Sequence, residues 1–181
     1  MGKFEDVTKI MDRLCSEDQK KILHGPSTDW YLSGRKRSEG NFKDGFLHGL
    51  YTEWYETGVK SIEGTFNHGI PDGIWIWWYE NGNKRDERPY KKGKTHGLFK
   101  SWYEDGQKMC GLSMKNEKPH GLTKKWYKTG QVEFKENYKD GNPDGLCTHW
   151  YKNGQKKFEM KFNNGKLISK KEWNEDGSVK E

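Results

Sequence analysis

Residues Asp72 to Gly82 read DGIWIWWYENG. Trp75, Trp77, Trp78 and Tyr79 all fall within this short stretch, in a chain of 181 residues that is 33% charged and only 30% hydrophobic. Ordinary globular domains use about 45–50% apolar residues, glycine included. A chain this polar cannot build one thick core, and it has few large side chains to spare. Two of the four aromatics are explained as soon as the neighbouring sequence is laid beside them, because Trp78-Tyr79 recurs along the chain. Trp75 and Trp77 do not recur.

Working outward, Trp30, Trp54, Trp78, Trp102, Trp126 and Trp150 are separated by a constant 24 residues, and Trp173 follows after 23. Each of the first six is followed by Tyr. Gly34, Gly58, Gly82, Gly106, Gly130, Gly154 and Gly177 come four residues after each Trp, and Phe42, Phe66, Tyr90, Met114, Tyr138 and Phe162 come twelve after. A second glycine cluster reads DGFLHG, HGIPDG, KGKTHG and DGNPDG, with the degenerate NEKPHG among them. Self-similarity at a fixed period marks a repeat array. Each unit holds a run such as GLYTEWY, a short turn such as ENG, a return run such as QVEFKENY and a longer glycine-bounded turn. Two strands per unit joined by short loops imply antiparallel hairpins chained into a meander. The fold class is therefore all-β, with six to seven 24-residue hairpins and about thirteen strands. The aromatic fraction of 14% and 22 glycines argue against disorder despite the low apolar content.

Side chains alternate along a strand, and an even period keeps a given parity on one face. Even positions of the first strands give Leu50 and Trp54, Ile74 and Trp78, Leu98 and Trp102, Leu122 and Trp126, Leu146 and Trp150. Even return positions add Ile62, Phe66, Tyr90, Phe134, Tyr138 and Phe158, whereas odd return positions such as Glu63, Glu87 and Lys135 are polar. This parity reading predicts an even core face. It also selects the turn after Trp78: a three-residue loop with Gly82 in the left-handed conformation sets Trp78 opposite Lys84, whereas a two-residue loop would set it opposite Arg85.

Residues 1–26 lie outside the array, which occupies 27–181. Phe4, Val7, Ile10, Met11 and Leu14 follow helical spacing, and Ser16-Glu17-Asp18-Gln19 resembles a capping box, so this segment is expected to be a helical cap. MGKFEDVTKIMDRL carries acids and no long apolar run, which fits neither a secretory signal nor a membrane span. Asp6 weakens a myristoylation reading of Met-Gly. Cys15, Cys110 and Cys147 show no metal spacing and fit a reduced, cytoplasmic setting. The net charge of +6 permits acidic partners but is modest against 33 basic and 27 acidic residues.

Units such as YENGNKRDERPYKKGKTHGLFKSWY resemble the MORN-repeat variant of many bacterial proteins, in the Tyr-x-x-Gly turn and the Gly-x-x-x-Gly loop, from about Trp30 to Gly177. The resemblance implies a fold of chained β-hairpin repeats. Members of that family are often labelled antitoxins, and eukaryotic MORN proteins act as scaffolds and membrane-associated linkers. The chain departs from the pattern at Met114 to Glu117, where a local irregularity is expected, and in its shortened last unit.

No motif of an enzyme stands out. Ser33-Gly34-Arg35-Lys36 matches SxxK but falls in a hairpin turn, whereas the serine of that chemistry opens a helix. His48, His96 and His120 share one repeat position with Asp72 and Asp144. Equivalent positions lie two strands apart, about 9.6 Å, which Zn–N bonds of about 2.0–2.1 Å do not bridge. They are expected to hydrogen-bond within loops, so no metal or cofactor is implied. Cys110 and Cys147 differ in parity and are expected on opposite faces. Lys36, Lys60, Lys84, Lys108 and Lys156 form a stripe, interrupted by Val132, that could meet an anionic membrane surface but suits solubility better. Specific nucleic-acid binding has no sequence signal.

The odd positions Trp75 and Trp77, joined by Tyr51, Tyr55, Tyr79, Phe99 and Tyr103, are expected to form an exposed aromatic patch that contacts a partner, since Trp and Tyr are favoured anchors. The function expected is a non-enzymatic binding module acting on a protein partner, a toxin or a second copy of the chain, as an antitoxin or immunity protein does. The alternatives are a structural scaffold at membrane surfaces and a glycan-binding repeat protein of the cell wall.

Overall fold

In the computed structural model, which describes residues 23–180, each 24-residue unit closes as a hairpin and pairs with the next. The strands are β1 (Gly25–Trp30), β2 (Lys36–Lys43), β3 (Phe46–Leu47), β4 (Gly49–Trp54), β5 (Lys60–Asn67), β6 (Ile70–Trp78), β7 (Lys84–Lys91), β8 (Lys94–Thr95), β9 (Gly97–Trp102), β10 (Lys108–Lys115), β11 (Lys118–Trp126), β12 (Val132–Lys139), β13 (Asn142–Pro143), β14 (Gly145–Trp150), β15 (Lys156–Asn163) and β16 (Lys166–Glu172). They form one antiparallel sheet in chain order, with the two-residue β3, β8 and β13 paired beside β2, β7 and β12. Among the described residues there is no α-helix, hence none long and apolar enough to cross a membrane. The helical spacing and capping box expected between Phe4 and Gln19 lie outside the described residues, and Gly25 and Pro26, at the end of the expected cap, already belong to β1.

The turn after each Trp-Tyr has the three-residue form. In the third unit the Tyr79 N–H donates to the Asn83 carbonyl at 2.8 Å, the Gly82 N–H donates to the Tyr79 carbonyl at 3.0 Å, and Trp78 stands opposite Lys84. Gly82 has φ 88°, where a side chain would be strained. The second turn is tighter than its glycine spacing suggests. His68 and Gly69, with φ 47° and 74°, join Asn67 directly to Ile70; two left-handed central residues make a two-residue primed turn. Met114 to Glu117 keeps this turn geometry, with Met114 paired to Pro119 and Lys115 to Lys118, and the expected irregularity appears as a register shift between Leu112 and Met114, which the second unit shares between Glu63 and Thr65. The lost glycine shows as Glu117 at φ 66°.

One residue past the first turn the ladder slips. Trp78 faces Lys84, but Trp77 faces Asp86, so Lys84 and Arg85 share a single partner in a β-bulge. The same slip follows Trp30, Trp54, Trp102, Trp126 and Trp150. Beyond it, odd residues of the first strand share a face with even residues of the return strand. The prediction of a single even core face is therefore corrected. Ile62 and Phe66 are buried as expected, but their companions are the odd Tyr51, Trp75 and Trp77, with Phe42 and Leu47. Leu50, Ile74, Leu98, Leu122 and Leu146 stand on the opposite, outer face, between 47% and 61% exposed. The same correction places Cys110 and Cys147 on one face, the inner one.

The inner face is closed by an exchange of side-chain size between neighbouring strands. Trp75 is fully buried, packed edge-on to Phe66 with ring centroids 4.8 Å apart and flanked by Trp77 at 6.0 Å and Tyr51 at 6.5 Å. Its indole N–H donates to the Thr65 carbonyl at 3.2 Å. The ring lies directly on Gly64, where a Cβ would come within 2.1 Å of it, and Tyr51 lies likewise on Gly40, where a Cβ would come within 2.9 Å. Both glycines sit in mid-strand, where turns do not require them. Room for the neighbouring ring is their physical reason.

Candidate functional site

The seven aromatics expected to meet a partner are not gathered on a solvent-facing patch, and the bulge is the reason. Tyr51, Trp75 and Trp77 are at most 2% exposed and belong to the core. Tyr55, Tyr79 and Tyr103 are half-buried and staple the units together: their hydroxyls donate to the carbonyls of Trp78, Trp102 and Trp126 at 2.7, 2.9 and 2.9 Å. Tyr31, Tyr127 and Tyr151 do the same for Trp54, Trp150 and Trp173. Burial raises the phenol pKa of Tyr55, Tyr79 and Tyr127. This bond explains why Trp is followed by Tyr in six units. Phe99 is half-buried beneath the Arg88 guanidinium, 5.4 Å from the ring centroid.

A second inter-unit bond accounts for His120 but not for His48 and His96, whose Nδ1 atoms are buried with no hydrogen-bond partner among the described residues, against the expectation for them. Backbone N–H groups of Asp44, Lys92, Asp140 and Asn164, each opening a primed turn, donate to side chains one unit earlier: His24 Nδ1, Asp72 Oδ1, His120 Nδ1 and Asp144 Oδ1, at 2.9–3.3 Å. At these four sites histidine and aspartate serve alike, because each offers an acceptor at the same reach. Among the described residues no three His, Cys, Asp or Glu side chains are grouped to hold a metal ion. Ser33 to Lys36 form the first hairpin turn and the start of β2, with no helix behind them.

What lies exposed is the outer face. Its rungs repeat along the sheet: Leu50, Ile74, Leu98, Leu122 and Leu146, each beside a half-buried Trp of its own strand. Successive rungs are two strands, about 9.6 Å, apart. The lysine stripe runs along the same edge of this face and is mostly neutralised. Lys36, Lys60, Lys84 and Lys156 pair with Glu39, Glu63, Glu87 and Glu159 three residues on, and Lys36 and Lys84 also lie over the rings of Trp54 and Trp102 at 5.2 and 6.0 Å. Lys108 has no such glutamate, because Gly111 occupies that position. Beside Gly111 the face opens into a cleft of about 340 Å³. Neither the pairing nor the cleft was anticipated, although Glu39, Glu63, Glu87 and Glu159 at one repeat position, with Gly111 and Lys135 as its exceptions, are legible in the sequence.

At the far end the inner face is half open. His149 is stacked between Phe134 and Phe158, with centroids 5.0 and 4.1 Å away. Its Nε2 lies 2.6 Å from Glu136 Oε1, and the Tyr138 hydroxyl donates to the other oxygen at 2.6 Å. These two contacts, His149 first, hold the Glu136 carboxyl below the usual range, against the opposing effect of burial. Cys147 is buried and Cys110 partly so; both are free thiols, raised above the usual range by burial. They stand three strands apart in the sheet.

A family model described as MORN repeat variant matches residues 47–68, 71–92, 95–116, 119–140 and 143–164, together more than half of the chain. Each matched segment covers one first strand, its three-residue turn and the return strand. A search of curated proteins finds no match.

Proposed function

Since the chain belongs to the MORN repeat variant family, we propose that it is a non-enzymatic binding module that works by occupying a protein partner, as the antitoxin or immunity half of a pair does. The observation that carries this reading is the outer-face ladder of Leu50, Ile74, Leu98, Leu122 and Leu146, each about half exposed. Regularly spaced apolar rungs on a sheet stapled by tyrosine bonds offer a contact surface that needs no ordering on binding, and contiguous exposed apolar surface on a water-soluble fold usually marks a contact site. A partner held across several hairpins is blocked sterically, and no chemistry is required of the chain. The free Cys110 and Cys147 support a reducing, cytoplasmic setting. A scaffold lying on anionic membranes would draw on the lysine stripe, but four of its five lysines are already paired with glutamates.

The test is capture of partners by the full chain beside the double variant Leu98→Asp/Leu122→Asp, with thermal melts and light scattering on both. The variant should melt within a few degrees of the wild type and lose the captured protein or the self-association. Retention of every interaction by a folded variant would move the binding surface off the ladder.

A further inference from the structure

We propose that the cleft beside Gly111, between Trp102 and Trp126, is a binding site for a small aromatic anion, an aryl phosphate or aryl carboxylate. This goes beyond the docking reading and does not depend on it.

Three observations converge. The first is how the cleft is made. At the position of Gly111 four other units carry a glutamate that lies along the outer face and pairs with a lysine. A Cβ at Gly111 would meet the Trp126 ring at 3.9 Å and Leu98 at 4.0 Å, in ordinary contact. The space is therefore what a missing side chain leaves, and Gly111 has no positive φ to demand glycine there.

The second is the character of the walls. Trp102 and Trp126 line the cleft with Leu98 and Leu122 beside them, so its surface is apolar and aromatic. A volume of about 340 Å³ sits at the small end of the roughly 300–1,000 Å³ typical of ligand sites. One fused ring system fits such a space; a long acyl chain does not.

The third is the charge around it. Lys108 and Lys124 line the cleft, and Lys135 occupies the next unit's equivalent of Gly111. Among the described residues no carboxylate lies within ion-pair distance of any of the three, whereas Lys100 on the same cleft is already held by Glu87 at 2.8 Å. Lys124 lies 4.8 Å from the Trp126 ring centroid. Burial first, and then the charges of Lys135 and Lys108, hold its ammonium below the usual lysine range. A ligand that stacks on tryptophan and carries one or two negative charges satisfies both features at once. Apolar walls disfavour a bare inorganic ion, and the uncompensated lysines disfavour a neutral ring.

The experiment is titration calorimetry of the full chain with 1-naphthyl phosphate, with naphthalene-1-methanol as the neutral ring and inorganic phosphate as the bare charge. The wild type should bind 1-naphthyl phosphate saturably and each control at least tenfold more weakly. Gly111→Glu, which restores what most other units carry, should abolish binding and leave the thermal midpoint unchanged. Should that variant fold poorly, Lys124→Gln on the half-exposed rim should weaken binding at least tenfold. No saturable binding by the wild type, equal binding of inorganic phosphate, or undiminished binding by folded Gly111→Glu would each overturn the proposal.

Discussion

Around Trp75 the inner face of the sheet is shut, whereas around His149, on the same backbone, it is half open. The bulge and the three-residue turn recur at both places, and so does the pairing of odd first-strand residues with even return residues. The side chains differ. Gly40 and Gly64 stand beside Tyr51 and Trp75, ring over glycine, and bury them almost completely. The equivalents of Gly64 and Trp75 three units on are Glu136 and Cys147, a carboxylate beside a thiol, and Phe134, His149 and Phe158 around them keep part of their surface in water. A repeat backbone guarantees the frame but not the core; stability gathers where large and small side chains alternate across neighbouring strands. In a solenoid each unit answers mainly to its neighbours, so such unevenness can persist along one sheet.

The largest effect expected from this contrast is at Trp75. Trp75→Ala should cost about 3–5 kcal/mol, the usual range for a buried aromatic, while Phe158→Ala in the half-open region should cost clearly less. Denaturant melts with equal losses for the two would break the contrast.

Gly64→Ala probes the same packing from beneath. Its new methyl group would meet the Trp75 ring at 2.1 Å, and forcing extra atoms into a packed core costs about 1–3 kcal/mol. The equivalent Leu112→Ala carries no such clash and should lose through an ordinary small cavity. A neutral Gly64→Ala in urea titrations would mean that the ring moves freely, and that the closed region is not packed as described.

A smaller gain is expected at the turn that lost its glycine. Glu117 holds φ 66°, a region that costs a residue with a side chain about 1–2 kcal/mol, part of which is offset by the greater chain entropy of glycine when unfolded. Glu117→Gly should therefore raise stability by up to about 1 kcal/mol. A lower thermal midpoint would show that the side chain does more there than the backbone loses.

The smallest effect is a pH dependence confined to the half-open end. Glu136 has a folded pKa below the ordinary carboxyl value of about 4.3. A depressed pKa contributes stability that is fully present above the unfolded value and is lost as pH falls through the folded value. The wild type should therefore lose part of its stability between about pH 5 and 3, and Glu136→Gln should show a shallower loss over that window. Identical pH profiles for the two proteins would mean that the His149 and Tyr138 contacts are not kept in solution.

Much of the architecture is legible without coordinates. The spacing of Trp30 through Trp150 sets the period, the glycines four residues on set the left-handed turn residue, and turn arithmetic places Trp78 opposite Lys84, as found. The loop role of His120, Asp72 and Asp144 follows from their shared position between turns. All of these are local: they depend on residues within a few positions of one another and on the backbone geometry each type tolerates.

Which face is buried is not local. Parity reasoning assigns one residue to one partner, and a single extra residue in the bulge at Arg85 moves every later side chain of the return strand to the other face relative to the first. That slip is chosen by how strands pair and by where Trp75 finds room, and it turned the expected contact site into core and the expected core rungs into exposed surface. Gly40 and Gly64, mid-strand glycines with no turn to serve, mark in the sequence where those rings find room. The period of the chain was written in its residue types, but the side on which those residues meet was decided by pairing and packing between strands, because a register is a relation between segments and no segment carries it alone.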